Sequence, residues 1–182
     1  MKKFRQTALI CVLLVTAAIL LSGCGAEDPL CGAWAYIHDP QTPVLTLENN
    51  GKATFNGTGY TYTSDDERLK LSSGGETLEM RYVLEDDGMY LYETTVYTYA
   101  SDGTPDGLAG KWECKAQNWT FEFTENGTFM EDAIFPGYYF ADDAAGTVKL
   151  VYNDQFEDTV CYYTLSGNEL RIEYPWRMVK AQ

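Results

Sequence analysis

Leu30-Cys31-Gly32-Ala33-Trp34 returns 78 residues later as Leu108-Ala109-Gly110-Lys111-Trp112. The landmarks that follow each copy recur in the same order. Leu45-Thr46-Leu47 and then Asn49-Asn50-Gly51 match Phe121-Glu122-Phe123 and then Glu125-Asn126-Gly127. Leu69-Lys70-Leu71 matches Val148-Lys149-Leu150. Met80-Arg81-Tyr82-Val83-Leu84 and Met89-Tyr90-Leu91 match Cys161-Tyr162-Tyr163-Thr164-Leu165 and Leu170-Arg171-Ile172. Landmarks recurring in the same order within one chain mark a duplicated structural unit.

Each unit alternates apolar and polar residues with a period of two, the pattern of half-buried strands, and no segment carries a helical stripe. The first unit reads as strands over 33–37, 44–48, 53–56, 60–63, 68–71, 77–84 and 89–99. The second reads as strands over 111–115, 120–124, 128–132, 138–141, 147–152, 159–165 and 169–174, with Pro175 expected to end the last one. Asn49-Asn50-Gly51, Asp86-Asp87-Gly88, Glu125-Asn126-Gly127 and Ser166-Gly167-Asn168 supply tight turns between them. Connections this short join antiparallel neighbours and leave no room for crossover helices. Ser101-Asp102-Gly103-Thr104-Pro105-Asp106-Gly107 has linker composition.

The fold class is therefore all-β, with two tandem small antiparallel meander barrels or rolled sheets. Residues 1–23 form a signal peptide, 24–29 a tether, 30–100 the first β domain, 101–107 the linker and 108–182 the second. A small open meander would leave bare edges, so each unit is expected to close on itself. An alternative merges both halves into one barrel of about 12 to 14 strands. Two copies of a large plugging side chain argue against that alternative. Gly32 and Gly110 allow a neighbouring backbone close, while Trp34 and Trp112 each fill one barrel end. On this Gly-x-Trp opening and the meander that follows, the chain resembles the calycins, and in particular small lipocalin-like domains of bacterial lipoproteins. Such domains are of uncharacterised function; duplication without a catalytic constellation makes binding of a small hydrophobic ligand or an envelope protein the expectation.

The N-terminus supports such a setting. Lys2, Lys3 and Arg5 precede an apolar run from Ala8 to Leu21, the order of an export signal. That run is too short for a permanent membrane span. Leu21-Ser22-Gly23-Cys24 resembles a lipobox, which implies cleavage before Cys24 and diacylglyceryl transfer to its sulfur. The expected location is the bacterial cell membrane, lipid-anchored and facing away from the cytoplasm. Two acyl chains hold where one is marginal. The signal takes three basic and no acidic residues, so the net charge of −14 becomes −17 after residue 23. A surface that acidic argues against nucleic acid as a partner.

Three cysteines remain after Cys24. Cys114 and Cys161 fall in phase with core positions of the second unit, so either a bridge between them or two buried thiols is open. Tyr36 and Met80 stand at the matching places in the first unit, so the fold does not need a bridge. Three scattered cysteines and one histidine, His38, make no zinc site, and no metal or cofactor is expected. The acidic runs Asp65-Asp66-Glu67, Glu85-Asp86-Asp87 and Asp142-Asp143 lack calcium-loop spacing and read as solvated hairpin tips. His38 has no nucleophile motif around it. The reading taken is a non-enzymatic binding lipoprotein. Two alternatives stand beside it: an envelope hydrolase with a carboxylate pair in a polar cleft, and an inhibitor or immunity-type protein. The inhibitor would dock through Trp119 or through Tyr138-Tyr139 in a Phe135-Pro136-Gly137 loop.

Overall fold

Period-two burial holds through the computed structural model, which describes residues 28–153 and 156–182. The signal peptide and the lipobox residues Leu21, Ser22, Gly23 and Cys24 lie outside the described residues. Leu69 and Leu71 are buried around an exposed Lys70, and Val148 and Leu150 around an exposed Lys149. Each such side chain contributes roughly 1.5–3 kcal/mol by leaving water, which fixes the register of its strand.

All the described elements are strands. The first copy gives β1 (Gly32–Tyr36), β2 (Leu45–Leu47), β3 (Lys52–Phe55), β4 (Thr58–Ser64), β5 (Arg68–Ser73), β6 (Glu76–Glu85) and β7 (Gly88–Tyr99). The second gives β8 (Gly110–Cys114), β9 (Trp119–Phe123), β10 (Thr128–Glu131), β11 (Phe135–Asp142), β12 (Thr147–Val151), β13 (Thr159–Ser166) and β14 (Glu169–Lys180). Every strand pairs antiparallel with the next, and β14 returns to β1, so one fourteen-strand sheet closes in a ring.

A further pairing divides that ring. β7 and β14 run antiparallel from Met89↔Met178 to Thr98↔Glu169. β7 meets β6 along Gly88–Tyr92 and β8 at Thr98 and Tyr99. β14 meets β13 along Glu169–Glu173 and β1 from Met178 to Lys180. Two eight-strand circuits result, β1–β7 with β14 and β7–β14, which share the long ribbon. Each has its own buried set. Trp34, Leu45, Leu47, Phe55, Leu69, Leu71, Met80 and Leu91 fill the first barrel. Trp112, Phe121, Phe123, Phe129, Val148, Leu150, Cys161 and Ile172 are in the core cluster of the second. Both barrels belong to the compact unit Gly32–Gln182.

The Gly-x-Trp opening has the same geometry twice. Gly32 and Gly110 both take φ +123°, a conformation L side chains rarely adopt. Cross-strand from Trp34 stands Lys180, whose Nζ lies 3.8 Å from the indole centroid. Cross-strand from Trp112 stands Tyr99, edge-on to the indole at 5.0 Å. A Cβ on either glycine would meet that same Lys180 or Tyr99 side chain. The glycine is thus required by a side chain crossing it, rather than by a neighbouring backbone. Trp112 Nε1 donates to the Leu108 carbonyl at 2.8 Å, tying the plug to the first residue of its own motif.

Two sequence expectations are corrected. Pro175 does not end β14, which continues to Lys180. Pro175 sits between the last β13 partner, Glu173, and the first β1 partner, Met178, where that edge of β14 has no neighbour. A missing N–H is tolerated there. Phe135-Pro136-Gly137 is not a loop but the start of β11, with Pro136 opposite Met130. Tyr139 consequently turns inward onto Phe123 at 5.0 Å, while Tyr138 stays exposed.

Candidate functional site at the mouth of the second barrel

One face of the shared ribbon carries Met89 and Leu91 into the first core, and Tyr97, Leu170 and Ile172 into the second. Between the two cores that face presents Glu93 and Thr95 from β7, and Tyr174 and Trp176 from β14. The pleat continues there, but full burial lapses, and a cavity of about 420 Å³ opens. Its floor is Tyr97, Phe121, Tyr152 and Ile172. Trp119, Phe156 and Trp176 stand at its rim, each at least 37 % exposed. The cavity lies at the opposite end of the second barrel from Leu108, to which the plug Trp112 is tied.

Register exposes how unusual one wall is. In the first copy Trp34 pairs with Leu45, and Leu45 with Phe55. In the second, Trp112 pairs with Phe121, and Phe121 with Glu131. Glu131 therefore stands where the first barrel has a buried phenylalanine. It is half-buried and accepts a 2.7 Å hydrogen bond from the Tyr152 hydroxyl. Burial pushes its carboxyl above the usual range, Tyr152 pulls it back in part, and neighbouring Asp132 adds to the rise. Tyr97, Tyr152, Tyr174 and the Cys161 thiol, which interact with Glu131, are all pushed up, chiefly by burial, and stay neutral at physiological pH.

Two more carboxylates line the cavity. Glu93 Oε1 accepts from the Tyr36 hydroxyl at 2.8 Å, a bond from the first barrel's opening strand. Asp132, in a left-handed turn at φ +50°, accepts from the Thr120 amide at 2.7 Å. No lysine or arginine is among the described residues lining the cavity. Aromatic rings continue the surface outward. His38 stacks on Tyr36 at 5.5 Å, Tyr36 meets Trp176 at 5.6 Å, and Trp176 meets Tyr174 at 5.4 Å. Across the mouth, Phe156 packs on Phe135 at 5.1 Å and on Tyr152 at 5.5 Å.

The other face of the ribbon is clamped by charge. Glu173 of β14 receives Arg68 at 2.8 Å and Arg81 at 3.1 Å, both from the first barrel. Arg81 also lies 4.0 Å above the Tyr162 ring of the second. This network fixes the ribbon that carries Glu93 and Trp176.

The residues singled out from sequence serve the frame more than the site. Gly32, Trp34, Gly110 and Trp112 build the closed ends. Cys114 and Cys161 are buried in the second core as free thiols, with Cys114 Sγ 3.2 Å from Gln117 Oε1. His38 is exposed in the β1–β2 turn. The acidic runs occupy exposed tips, where Asp65 accepts from the Glu67 and Arg68 amides and its carboxyl is lowered by those bonds. Among the described residues no three His, Cys, Asp or Glu side chains converge on a point that would hold a metal ion. Trp119 does line the cavity. Glu131, Glu93, Tyr152, Tyr174 and Trp176 were missed. Laying the two copies side by side carries the signal for Glu131, since it opposes Phe55.

No family model, curated protein or solved structure matches the chain. The site's meaning rests on its own geometry. Aromatic walls with a few fixed polar groups suit recognition of a small molecule. A desolvated carboxyl supplies either a strong acceptor or, protonated, a proton donor.

Proposed function

We propose that this chain is a membrane-anchored extracytoplasmic lipoprotein whose second barrel binds a small ligand at its mouth without transforming it. The observation that carries the reading is the exchange of Phe55 for Glu131 at one register position of a duplicated barrel. The first copy closes with phenylalanine there, so the fold has no need of a carboxylate. An acid kept in that place at a cost in desolvation belongs to something the second copy does.

Native mass spectrometry of the full chain, after exposure to an extract of its own cell envelope, tests this. A discrete added mass on the wild type, absent from Thr95→Trp, is expected. Thr95 lines the cavity, and its counterpart in the other copy is Trp176, so the fold accommodates an indole at that position. An added mass that persists in Thr95→Trp would refute the site. The anchor is tested separately: Cys24→Ala is expected to lose labelling by radioactive palmitate and membrane retention.

A second reading is an envelope hydrolase with Glu131 as general acid. The raised Glu131 carboxyl in an open cleft favours it. Product masses appearing in the same spectra, and lost in Glu131→Gln, would move the assignment to that reading.

A further inference from the structure

We infer that the ligand of the second barrel is an organic cation, an ammonium group bearing apolar substituents. The inference rests on the ligand-binding reading of this cavity and adds the chemistry of the occupant.

Three observations converge. First, every charged side chain among the described residues on the wall is a carboxylate: Glu131 from β10, Asp132 from the turn after it, and Glu93 from the shared ribbon. Glu131 and Asp132 are consecutive on one side of the opening and Glu93 stands on the ribbon, and each already accepts one bond from a fixed neutral donor: Tyr152, the Thr120 amide and Tyr36. Their positions are thereby set before any ligand arrives, and no lysine or arginine is among the described residues lining the cavity beside them. Second, they do not gather into a metal-binding cluster among the described residues. Carboxylates spread around a space of about 420 Å³ suit a bulky charge rather than a bare ion. Third, aromatic side chains line the space between them. Trp119, Trp176 and Tyr174 are among them, and such rings attract a quaternary or alkyl ammonium. A neutral sugar or fatty chain would use the rings but would leave the carboxylates without a counter-charge. An anionic ligand would be repelled by all three.

The source of selectivity is electrostatic. Partly desolvated carboxylates act through a lower effective dielectric than in water, so a cation gains more here than at an open surface. The protein's net charge of −14 also draws cations toward it. As pH falls, Glu131, whose carboxyl is raised by burial, takes up a proton and the preference should fade. The tyrosines and the Cys161 thiol facing Glu131 stay neutral in that range, which leaves Glu131, beside Asp132, as the group that titrates there.

The test uses the full chain in a nonionic detergent, with choline and 3,3-dimethyl-1-butanol as probes. The two have nearly the same shape and differ in a charged nitrogen against a neutral carbon. Binding is read from the fluorescence of Trp119 and Trp176 and from saturation-transfer NMR of the probe. Choline is expected to bind at least about tenfold tighter than its isostere. The preference should shrink in Glu131→Gln and again in Glu93→Gln, and both variants should keep the wild-type near-ultraviolet circular dichroism. Thr95→Trp should abolish binding of either probe. Equal binding of both probes, lost in Thr95→Trp, overturns the cation inference while leaving a ligand-binding cavity. Binding of neither probe, or binding that survives Thr95→Trp, overturns the inference and the cavity assignment together.

Discussion

Glu131→Gln is expected to stabilise the protein at neutral pH and to leave it unchanged in acid. Gln keeps the shape of the side chain and an oxygen to accept from Tyr152, which now donates at 2.7 Å. What it removes is the charge. The Glu131 carboxyl is raised in the folded protein, first by burial, with Tyr152 opposing and Asp132 reinforcing. An acid whose folded pKa exceeds its unfolded value binds more protons in the native state, so stability declines as pH rises between the two. Below the unfolded value, about 4.3 for a glutamate, both states are protonated and nothing is lost. Above the folded value the full penalty applies, about 1.4 kcal/mol for each unit of displacement. Glu131→Gln should therefore match the wild type in acid, below the unfolded glutamate value, and exceed it near about pH 8. Urea unfolding at both pH values measures this. Glu76→Gln, an exposed position in the first barrel, controls for the change in net charge. A variant no more stable than the wild type at the higher pH, or a gain equal at both, would falsify the assignment of Glu131 as a desolvated acid.

Three shorter predictions concern the frame. Gly110→Ala should cost about 2–4 kcal/mol, from a side chain at positive φ and a Cβ meeting the Tyr99 ring. Gly32→Ala should cost less, because the atom it meets is the flexible end of Lys180, 3.1 Å away; paired urea titrations compare them. Arg81→Met should cost about 1–2 kcal/mol, since it leaves Glu173 with Arg68 alone. A double-mutant cycle with Glu173→Gln should return a coupling of at least about 0.5 kcal/mol. The Cys161 thiol, buried and pushed up by that burial, should resist iodoacetamide in the folded protein and react once urea unfolds it. Peptide mapping after timed labelling reads this, and rapid native labelling would contradict the described core.

Local pattern carried the strands, and partner-dependent features did not follow from it. Arg68-Leu69-Lys70-Leu71 declares a strand because burial alternates with the pleat, whatever lies beside it. The shared ribbon was harder to see, since period two is silent about which strand occupies either edge. One clue was present. The unbroken run of Met89 to Tyr99 predicts a strand longer than most of its neighbours, and β7 does take β6 and then β8 along one edge. Pro175 was misread for the same reason, because a missing N–H matters only where a partner needs it. The site depended on a lapse within a correct pattern. Glu93 and Thr95 fall at inward positions between Leu91 and Tyr97, and an acid in a core register is the sequence trace of a cavity. Glu131 left a similar trace, visible once Phe55 is set against it.

That pairing of Phe55 with Glu131 makes the two barrels controls for each other. The carboxylate of Glu131 is bearable because Tyr152 donates to it and because the cavity admits water beside it. The counterpart of Tyr152 in the first copy is Ser73, an exposed residue at the end of β5. Phe55 is only 8 % exposed, and its strand neighbour Leu45 is fully buried. Phe55→Glu should therefore lose the burial of a ring and place an acid with no prepared donor in its stead, at a combined cost of at least about 4 kcal/mol. Glu131→Phe should cost far less, since the ring would lie against Phe121 and Phe129, and only the Tyr152 hydroxyl loses its acceptor. Urea unfolding of the two variants measures the asymmetry. Were the costs equal, the positions would share one environment, and the acid in the second barrel would need no functional explanation. A large difference would mean that the second barrel is built to hold a carboxylate where the first is built to exclude one.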